Sequence, residues 1–472
     1  MRFGLALALL GANAFAATPT FNHDIAPILY QNCAGCHRPG QVAPFALLNY
    51  QDAAKRAALI ATVTTSRYMP PWKAEPGYGH FQDERRLTDA QLALIRDWVK
   101  NGAPEGDPKQ KPAVPQFASG WLAGKPDAEV TLAKPFEVPA DGRDVFQCFV
   151  VPLNFDAERY VRTVEFHPGN PKVVHHALFF LDLSGEARRL NAASNGNGYS
   201  CFGGPRIVPA GGLGGWAPGP TPQPLPAGMG YAIEKGADLV MQIHYHPGGK
   251  PETDQSALGL TFTSESPKGL TNMIVGPRRI DLSAGDAHHE ITDFGVVPQD
   301  VELIGITPHA HLLCKEMKVD AHFLDGRSET LIWIKDWDFN WQGQYRYASP
   351  ISLPKGTRIE MRYVYDNSEG NPHNPSHPPK AVKFGEQTTD EMGFAFLQVA
   401  LPDRAGVPAF RKAMLLSRIE EMIRDGNDFS SLGPRQASNL ERAVAAFDRN
   451  HDGKLEPDEM EALMKFLQGM VR

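Results

Sequence analysis

Short apolar runs separated by turn residues dominate the middle of the chain, between about residues 126 and 404. Clusters of Gly, Pro, Asn and Asp divide runs that are rich in Val, Ile, Phe and Tyr, a pattern typical of β-strands in sandwiches. The clearest runs are 144–151, 173–183, 238–246, 301–307, 329–334 and 358–364. No helical pattern in this part is long enough to compete, and residues 264–268 interrupt the runs. The sequence therefore predicts two all-β sandwich domains, 126–265 and 266–404.

Helical periodicity marks the regions before and after these strands. Thr88 and Gln91 form the pattern of a capping box, and Leu92, Ile95 and Val99 recur on one face of the helix that follows. Apolar residues again recur at helical spacing in the tail, residues 405–472. They are Phe410, Met414, Ile419, Met422, Ile423, Leu440, Val444, Phe447, Met460, Leu463, Met464 and Leu467. The sequence thus predicts a small all-α domain at the start and a short α-helical tail at the end.

The composition is that of an ordinary globular protein. The 472 residues are 42% hydrophobic and 21% charged, and they suffice for roughly three domains. The net charge of -7 gives no reason to expect a nucleic-acid partner. The 44 glycines and 40 prolines suit a β-rich protein with many turns.

Residues 1–17 have the pattern of a secretory signal peptide. Arg2 supplies the positive start, residues 3–10 supply the apolar run, and Ala-Phe-Ala at 14–16 fits a cleavage site. The apolar run is far shorter than the ~20 residues that a membrane anchor needs. No later segment is long and apolar enough either. We therefore expect a periplasmic or secreted protein that starts near Ala17 and has no membrane span.

Cys33, Cys36 and His37 form the CxxCH pattern of c-type haem attachment. The two thiols would bond to the haem and the histidine would bind its iron; a redox-active or zinc-binding CxxC is the alternative. Met69 lies in a proline-rich loop and is the candidate for the second iron ligand, with His80 as the alternative. Residues 18–107 as a block resemble a small cytochrome c domain. The Pro-, Lys- and Gly-rich residues 108–125 have the composition of a semi-rigid linker.

The tail contains a 12-residue pattern that matches the calcium-binding loop of an EF-hand. The candidate calcium ligands are Asp448, Asn450, Asp452, Lys454, Glu456 and Glu459. Gly453 occupies the sixth position, where the loop turns sharply, and the apolar Leu455 occupies the eighth. The alternative is a charged surface loop that binds nothing. No second complete loop is present, so we expect one calcium ion and a degenerate partner hand.

Paired histidines supply the candidate metal ligands of the β region. His309 and His311 follow the apolar run 301–306, and residues i and i+2 of a strand project from the same face. The two imidazoles are therefore expected to reach one metal ion. The pair His288 and His289 lies in a polar stretch and is the least expected to bind metal.

His175 and His176 lie in a run that is too apolar for a solvated strand. Buried imidazoles need partners for their ring nitrogens. Adjacent strand residues point to opposite faces, so both can bind one ion only at a bulge or a strand end. His244 ends the buried-looking run 239–243, and His246, on the same face, is placed to orient a ligand rather than to bind.

These motifs, together with Asp-Glu-Met at 390–392, resemble the ligand set of the copper type II, ascorbate-dependent monooxygenases. That family includes peptidylglycine α-hydroxylating monooxygenase and dopamine β-monooxygenase, and the resemblance covers residues 126–404. It implies two jelly-roll domains with a solvent cleft between them, and a disulfide between Cys148 and Cys201. The implied copper ligands are His175, His176 and His244 for one ion, and His309, His311 and Met392 for the other.

The resemblance implies that O2 reacts at the His309, His311 and Met392 copper, whose ligands are then the catalytic residues. The other copper would supply the second electron. Two imidazoles with a soft thioether suit an ion that is reduced to Cu(I). The fused haem would pass electrons singly from an external donor, ascorbate or a redox protein. The substrate would be a small-molecule or peptide-like organic compound that is hydroxylated at a C–H bond.

Two departures from the family concern the substrate. In the peptide-hydroxylating branch, polar residues after the methionine and a basic residue before the HxH bind the substrate carboxylate. Here these positions are residues 393–396, Gly-Phe-Ala-Phe, and Thr307-Pro308, which cannot pair a carboxylate. We therefore expect a more apolar or differently anchored substrate.

One other function is compatible with these motifs. A non-catalytic periplasmic electron-transfer or copper-handling protein would use a thiolate beside its histidines, and Cys314 follows His311 by three residues. A zinc hydrolase would need a positioned carboxylate base, for which the sequence offers no candidate.

Overall fold

The computed structural model describes residues 18–470 apart from residues 40, 42, 118–119, 195, 203, 219–221, 278, 386, 425, 427–428 and 430–433. The expected signal peptide, residues 1–17, lies outside the described residues. The chain divides into two compact units. The first combines residues up to Trp72 with Glu84–Phe117, and the second combines Lys73–Asp83 with the chain from residue 118 onward.

The first unit is helical in every element that the structure describes there. Its elements are a π turn (Phe21–Ile25), α1 (Ala26–Asn32), α2 (Tyr50–Ala54), α3 (Ala57–Thr65), α4 (Asp89–Lys100) and a 3-10 turn (Pro108–Gln110). The predicted capping box of α4 is confirmed: Gln91 N donates to Thr88 Oγ1, and Thr88 N donates to Gln91 Oε1. The core is built around fully buried Phe21, Leu29 and Trp98.

The second unit begins with a β-sandwich. Its elements are β1 (Ala128–Thr131), β2 (Phe136–Val138), β3 (Val145–Pro152), β4 (Arg159–His167), β5 (Val174–Asp182), α5 (Glu186–Ala193), β6 (Tyr199–Ser200), β7 (Gly211–Trp216), β8 (Tyr231–Ile233), β9 (Asp238–Tyr245), β10 (Glu252–Asp254) and β11 (Ala257–Thr263). The two main sheets have the orders β6-β3-β9-β5-β7 and β1-β11-β4-β8, and all their pairs are antiparallel. Phe149 and Met241 of one sheet pack with Leu258 and Val161 of the other in a single core.

The strands after residue 265 form a second sandwich. They are β12 (Gly269–Val275), β13 (Asp281–Leu282), β14 (His289–Val296), β15 (Val301–Ala310), β16 (Cys314–His322), β17 (Ser328–Ile334), β18 (Tyr345–Leu353), β19 (Arg358–Tyr365), β20 (Val382–Lys383) and β21 (Gly393–Leu401). The main sheets have the orders β12-β21-β15-β18 and β14-β19-β16-β17. The expectation of a β-rich protein with several sheets and flanking helices is therefore confirmed.

A short segment from early in the chain completes the second sandwich. This edge strap, residues 73–83, lies along β18, the edge strand of its sheet. Gln82 N donates to Arg346 O, and Ala348 N donates to His80 O. The Phe81 ring packs at 5.0 Å from the Tyr347 ring. The strap lies inside the range 18–107, which the sequence assigns to one domain, yet it belongs to the second unit.

Three helices follow the second sandwich: α6 (Gly406–Arg424), α7 (Pro434–Phe447) and α8 (Pro457–Met470). They share a buried cluster that includes Ile419, Val444 and Leu463. α6 also packs against β12, where Arg411 Nε donates to Thr271 Oγ1. Within the described residues, no helix has both the length and the apolar character that crossing a membrane requires.

Candidate metal centres

A β-bulge brings His175 and His176 to one place. In the pairing of β5 with β9, Val174 faces Tyr245 and His176 faces His244, so His175 is the extra residue between two rungs. Sequence considerations allow two adjacent strand residues to share an ion only at such an irregularity. The bulge meets that condition, and His244 on β9 is the residue paired with His176.

The three Nδ1 atoms of these residues form a nearly equilateral triangle. His175 Nδ1 lies 3.2 Å from His176 Nδ1 and 3.3 Å from His244 Nδ1, and the third side is 3.3 Å. Nitrogens that each lie ~2.0 Å from one ion in tetrahedral directions are ~3.3 Å apart. The triangle therefore fits a single metal ion. Among the described His, Cys, Asp and Glu residues, this is the group whose donor atoms converge within 4.8 Å.

Burial favours the neutral state of the His175 and His176 imidazoles, which is the state that binds metal. Burial first, and then the neighbouring His244, lower the pKa of His175 to about 4. The same two causes hold the pKa of His176 well below its ordinary value. At neutral pH both side chains thus keep a free lone pair, and these two can accept a cation without first losing protons.

Asp144 lies next to His244, immediately before β3. His244 Nε2 lies 3.2 Å from Asp144 Oδ2, an ion-pair distance at an angle outside hydrogen-bond geometry. His246 Nδ1 lies 2.8 Å from Asp144 Oδ1, and Thr388 Oγ1 donates to Oδ2 at 2.5 Å. Burial acts to raise the pKa of Asp144, but His244, Thr388 and His246 together hold it below the ordinary value. An ionised carboxylate behind a ligating imidazole orients the ring and increases its basicity.

A second set of ligands lies in the other sandwich, where β15 and β21 end together. The rings of His309 and His311 are 5.3 Å apart and nearly perpendicular. The register pairs Ala310 with Gly393, so His311 and Met392 follow side by side beyond the last rung. A Cβ atom at Gly393 would clash with Tyr365 Oη, which donates to Met392 O at 2.9 Å. The chain therefore needs glycine beside this methionine.

Hydrogen bonds fix which nitrogen each of these two histidines offers. His309 Nδ1 lies 2.6 Å from Gln342 Oε1, and Gln342 Nε2 donates to Phe339 O at 3.1 Å, which fixes the amide orientation. His311 Nδ1 lies 3.2 Å from Asp390 O. Both partners are acceptors, so each Nδ1 carries the proton and each Nε2 is left as the metal donor. The first set therefore offers Nδ1 atoms and the second set offers Nε2 atoms.

Glu391 holds the backbone of the second set. Its Oε1 accepts hydrogen bonds from the amides of His311 and Met392, and its Oε2 accepts one from Leu313 N at 2.9 Å. The side chain is fully buried, and burial raises its pKa to about 8. All three partners are donors, so they favour the ionised carboxylate and lower the pKa against the larger effect of burial. One carboxylate thus fixes the segments that carry two ligands.

One phenylalanine contacts both sets. Residues 335–344 form a bridging loop between β17 and β18, and its Phe339 ring stacks on His175 at 5.3 Å between centroids. The same ring meets His311 edge-on at 5.8 Å. Trp337 Nε1, in the same loop, donates to His311 O at 3.0 Å. A single aromatic ring therefore contacts one histidine of each set.

The candidate haem ligands Cys33, Cys36 and His37 share one turn at the end of α1. His37 N donates to Cys33 O, and His37 Nδ1 lies 3.1 Å from Phe45 O, which leaves His37 Nε2 for iron. Burial and the neighbouring Cys36 raise the pKa of Cys33 to about 12. Met69 is half-buried in the same unit, just after α3, whereas the alternative ligand His80 lies in the edge strap.

The candidate calcium loop connects α7 and α8. Asp448 is 6% exposed; its Oδ2 accepts a hydrogen bond from Gly453 N, and its Oδ1 is buried without a partner among the described residues. Glu459 accepts from the amides of Arg449 and Glu456 with its two oxygens. A buried carboxylate oxygen without a donor is what a loop shaped for a cation would present.

The remaining sequence candidates fall outside these centres. Cys148 and Cys201 form a disulfide, which is the pairing that the family resemblance implies. Cys314 is a buried free thiol whose Sγ lies 3.6 Å from Glu316 O. His289 Nδ1 lies 3.1 Å from Asp286 Oδ2, an ion-pair distance in a partly exposed turn.

Sequence reasoning missed Asp144, Phe339 and Gln342. Each is far from the histidines in the chain, and none belongs to a recognisable motif. Only the folded arrangement of β3, β9 and the bridging loop brings them to the ligands. The position of Glu391 between Asp390 and Met392 marked it as part of the candidate motif. Nothing in the sequence indicated that its side chain binds backbone amides.

Comparison with known proteins adds no assignment. No protein-family model matches the chain, and no curated protein matches it. Among solved structures, the major capsid protein P2 of bacteriophage PM2 is similar over 58% of this chain and 96% of its own, with 10% identity and a TM-score of 0.25. PNGF-II is similar over 57% of this chain and 60% of its own, with 8% identity and a TM-score of 0.19. Similarities at this level carry no argument about fold or function.

Proposed function

We propose that the chain is an exported copper-dependent monooxygenase that hydroxylates a C–H bond with O2 and receives its electrons through a c-type haem. In this proposal the first unit is a cytochrome c domain, and the two sandwiches are jelly rolls of the copper monooxygenase family. The observation that carries it is the pair of histidine sets that both contact Phe339. One set fits a single ion through three Nδ1 atoms, and the other offers two Nε2 atoms from histidines whose strand ends next to Met392.

The two ligand sets would give their copper ions different environments. Copper bound at these sites would supply one-electron redox chemistry and the activation of O2. His175, His176 and His244 provide an all-imidazole environment, which suits both oxidation states of copper. His309, His311 and Met392 provide a softer environment that favours Cu(I). Gln342, Asp390 and Glu391 keep the second set in place, since they fix the ring tautomers and the backbone.

The balance of the reaction explains why a haem unit would be useful. Hydroxylation places one oxygen atom of O2 in the substrate and reduces the other to water, which requires two electrons and two protons. A haem held by Cys33, Cys36, His37 and Met69 would transfer electrons one at a time. A Cys33→Ser, Cys36→Ser double variant would then lose turnover with a protein donor and keep turnover with ascorbate. Unchanged turnover with the protein donor would exclude this role for the haem.

The calcium loop has a supporting role in this proposal. Calcium held by the loop between α7 and α8 would stabilise the tail, which packs on β12 of the second sandwich through α6. We expect a chelator to lower the stability of the tail and to leave the copper centres unchanged.

Metal analysis with EPR and optical spectroscopy of the exported protein tests the central proposal. We expect about two type II copper ions and one c-type haem per chain, and Met392→Ala should weaken one copper. Met414→Ala, at another half-buried methionine in α6, serves as the control and should weaken neither. Zinc in place of copper, or copper binding that does not change in Met392→Ala, would refute the proposed monooxygenase function. Copper without O2-dependent product formation would instead favour an electron-transfer or copper-handling protein.

A further inference from the structure

The sheet that carries the second ligand set has one face turned away from its own sandwich core, and Arg346 lies at one end of that face. On β15 and β21, Thr307 pairs with Phe396 and His309 pairs with Phe394. These four side chains are half-buried, whereas their neighbours Pro308 and Ala395 turn into the core of the sandwich. Strand residues two apart share a face, so this face continues from the metal ligands along the sheet.

Arg346 lies at the far end of this face. The register places it beside Gly305, which in turn pairs with Gln398 on the other side. Gly305 precedes His309 by four residues, or about 13 Å along a strand. An added Cβ at Gly305 would approach Tyr345 O to 3.2 Å and both Arg346 Cα and Gln398 Oε1 to 3.8 Å, so glycine keeps this position free of a side chain.

Within the part of the chain that the structure describes, the Arg346 guanidinium has no counter-charge. Its Nη1 is buried without a hydrogen-bond partner, and no described carboxylate forms an ion pair with it. Burial lowers the pKa of Arg346, but arginine remains charged in proteins. An unpaired buried charge destabilises a fold unless something else compensates it.

Tyr231, on β8 of the first sandwich, lies close enough to Arg346 to interact with it electrostatically. Gln398 Nε2 donates to Tyr231 Oη at 2.5 Å, so the phenol oxygen already accepts one hydrogen bond. Among the described residues, its own proton has no acceptor. A guanidinium and a phenol that both lack acceptors form a receptor for a carboxylate.

We infer that Arg346 and Tyr231 bind the carboxylate of an amphiphilic organic acid whose apolar body lies on Phe394 and Phe396. The far end of such a molecule would reach the ligand set of His309, His311 and Met392. The idea that this acid is the substrate rests on the proposed function. The carboxylate-binding site does not, because it is argued from Arg346, Tyr231 and their surroundings alone. It also supplies the carboxylate anchor that positions 307–308 and 393–396 lack.

Calorimetric titration of the full chain, as isolated, with straight-chain carboxylates from acetate to decanoate tests the site. We expect saturable binding that tightens about fourfold for each CH2 that is buried on the phenyl rings. Arg346→Met should weaken octanoate binding at least tenfold, Arg346→Lys less, and Tyr231→Phe several-fold. Arg362→Gln, at a paired arginine on the other sheet, should have no effect.

Thermal unfolding without ligand distinguishes binding from a structural role. Removal of an uncompensated buried charge should leave the melting temperature of Arg346→Met at or above that of the wild type. A lower melting temperature, octanoate affinity that is independent of Arg346, or no saturable binding would each overturn the site. If octanoate binds through Arg346 but no hydroxylated product forms with any acid of the series, the acid is not the substrate. The monooxygenase itself is judged separately, by the metal analysis.

Discussion

Glu391→Ala tests whether one buried carboxylate holds the second ligand set. The change removes the acceptor of three buried amides, those of His311, Leu313 and Met392. Each unsatisfied buried donor costs about 1–3 kcal/mol, and water that enters the new space recovers part of this. We therefore expect a loss of about 3–5 kcal/mol in the free energy of unfolding. For a domain of this size that lowers the melting temperature by about 10 °C.

Scanning calorimetry of the metal-free chain measures this change, and Glu302→Ala is the matched control. Glu302 pairs with Lys268 at the surface, and such pairs contribute less than about 1 kcal/mol. Glu391→Gln should fall between the two, because its amide group turns one donor toward the backbone donors. If Glu391→Ala melts no lower than Glu302→Ala, the carboxylate does not hold this backbone. In the copper-loaded protein, Glu391→Ala should also weaken the copper that Met392→Ala weakens.

Three further substitutions address the surroundings of the sites. Gln342→Leu removes the hydrogen-bond acceptor that fixes the tautomer of His309. It should lower the copper affinity of the second set by about 10–100-fold in a competition titration. The first set should keep its affinity, and equal losses at both would contradict this role. Phe339→Ala should alter the EPR signals of both coppers, because the ring touches a histidine of each set, whereas Phe323→Ala should alter neither. Glu459→Gln should reduce calcium affinity more than tenfold, with Glu461→Gln, at an exposed position, as the control.

The strands and the candidate ligand histidines could be predicted from the sequence because both depend on local patterns. Alternation of apolar and polar residues reports which face is buried, and the spacing of His309 and His311 reports a shared face. The sequence could say only that His175 and His176 need a bulge or a strand end to share an ion. It could not predict the bulge, because no residue type nearby requires one. The bulge results from the register between β5 and β9, which the packing of the whole sheet determines.

The residues that orient the ligands were not accessible in this way. Asp144 lies 100 positions before His244 in the chain, and Gln342 lies in a loop whose sequence has no metal-binding pattern. Their roles arise from chain segments that meet only after folding. The same applies to Arg346, which in the sequence is an ordinary strand arginine between two tyrosines. Its isolation from any acid becomes apparent only once the opposite sandwich is in place.

The edge strap has a practical consequence for recombinant production. A truncated protein that starts at residue 118 would contain both sandwiches and the tail but not residues 73–83. It would leave the outer edge of β18 unpaired and would uncover Tyr347, which is otherwise 3% exposed. Free strand edges with apolar surface promote association between molecules. The part of this chain that contains both sandwiches is therefore not a contiguous fragment, and a recombinant version would have to retain the strap, either within the natural chain or joined artificially.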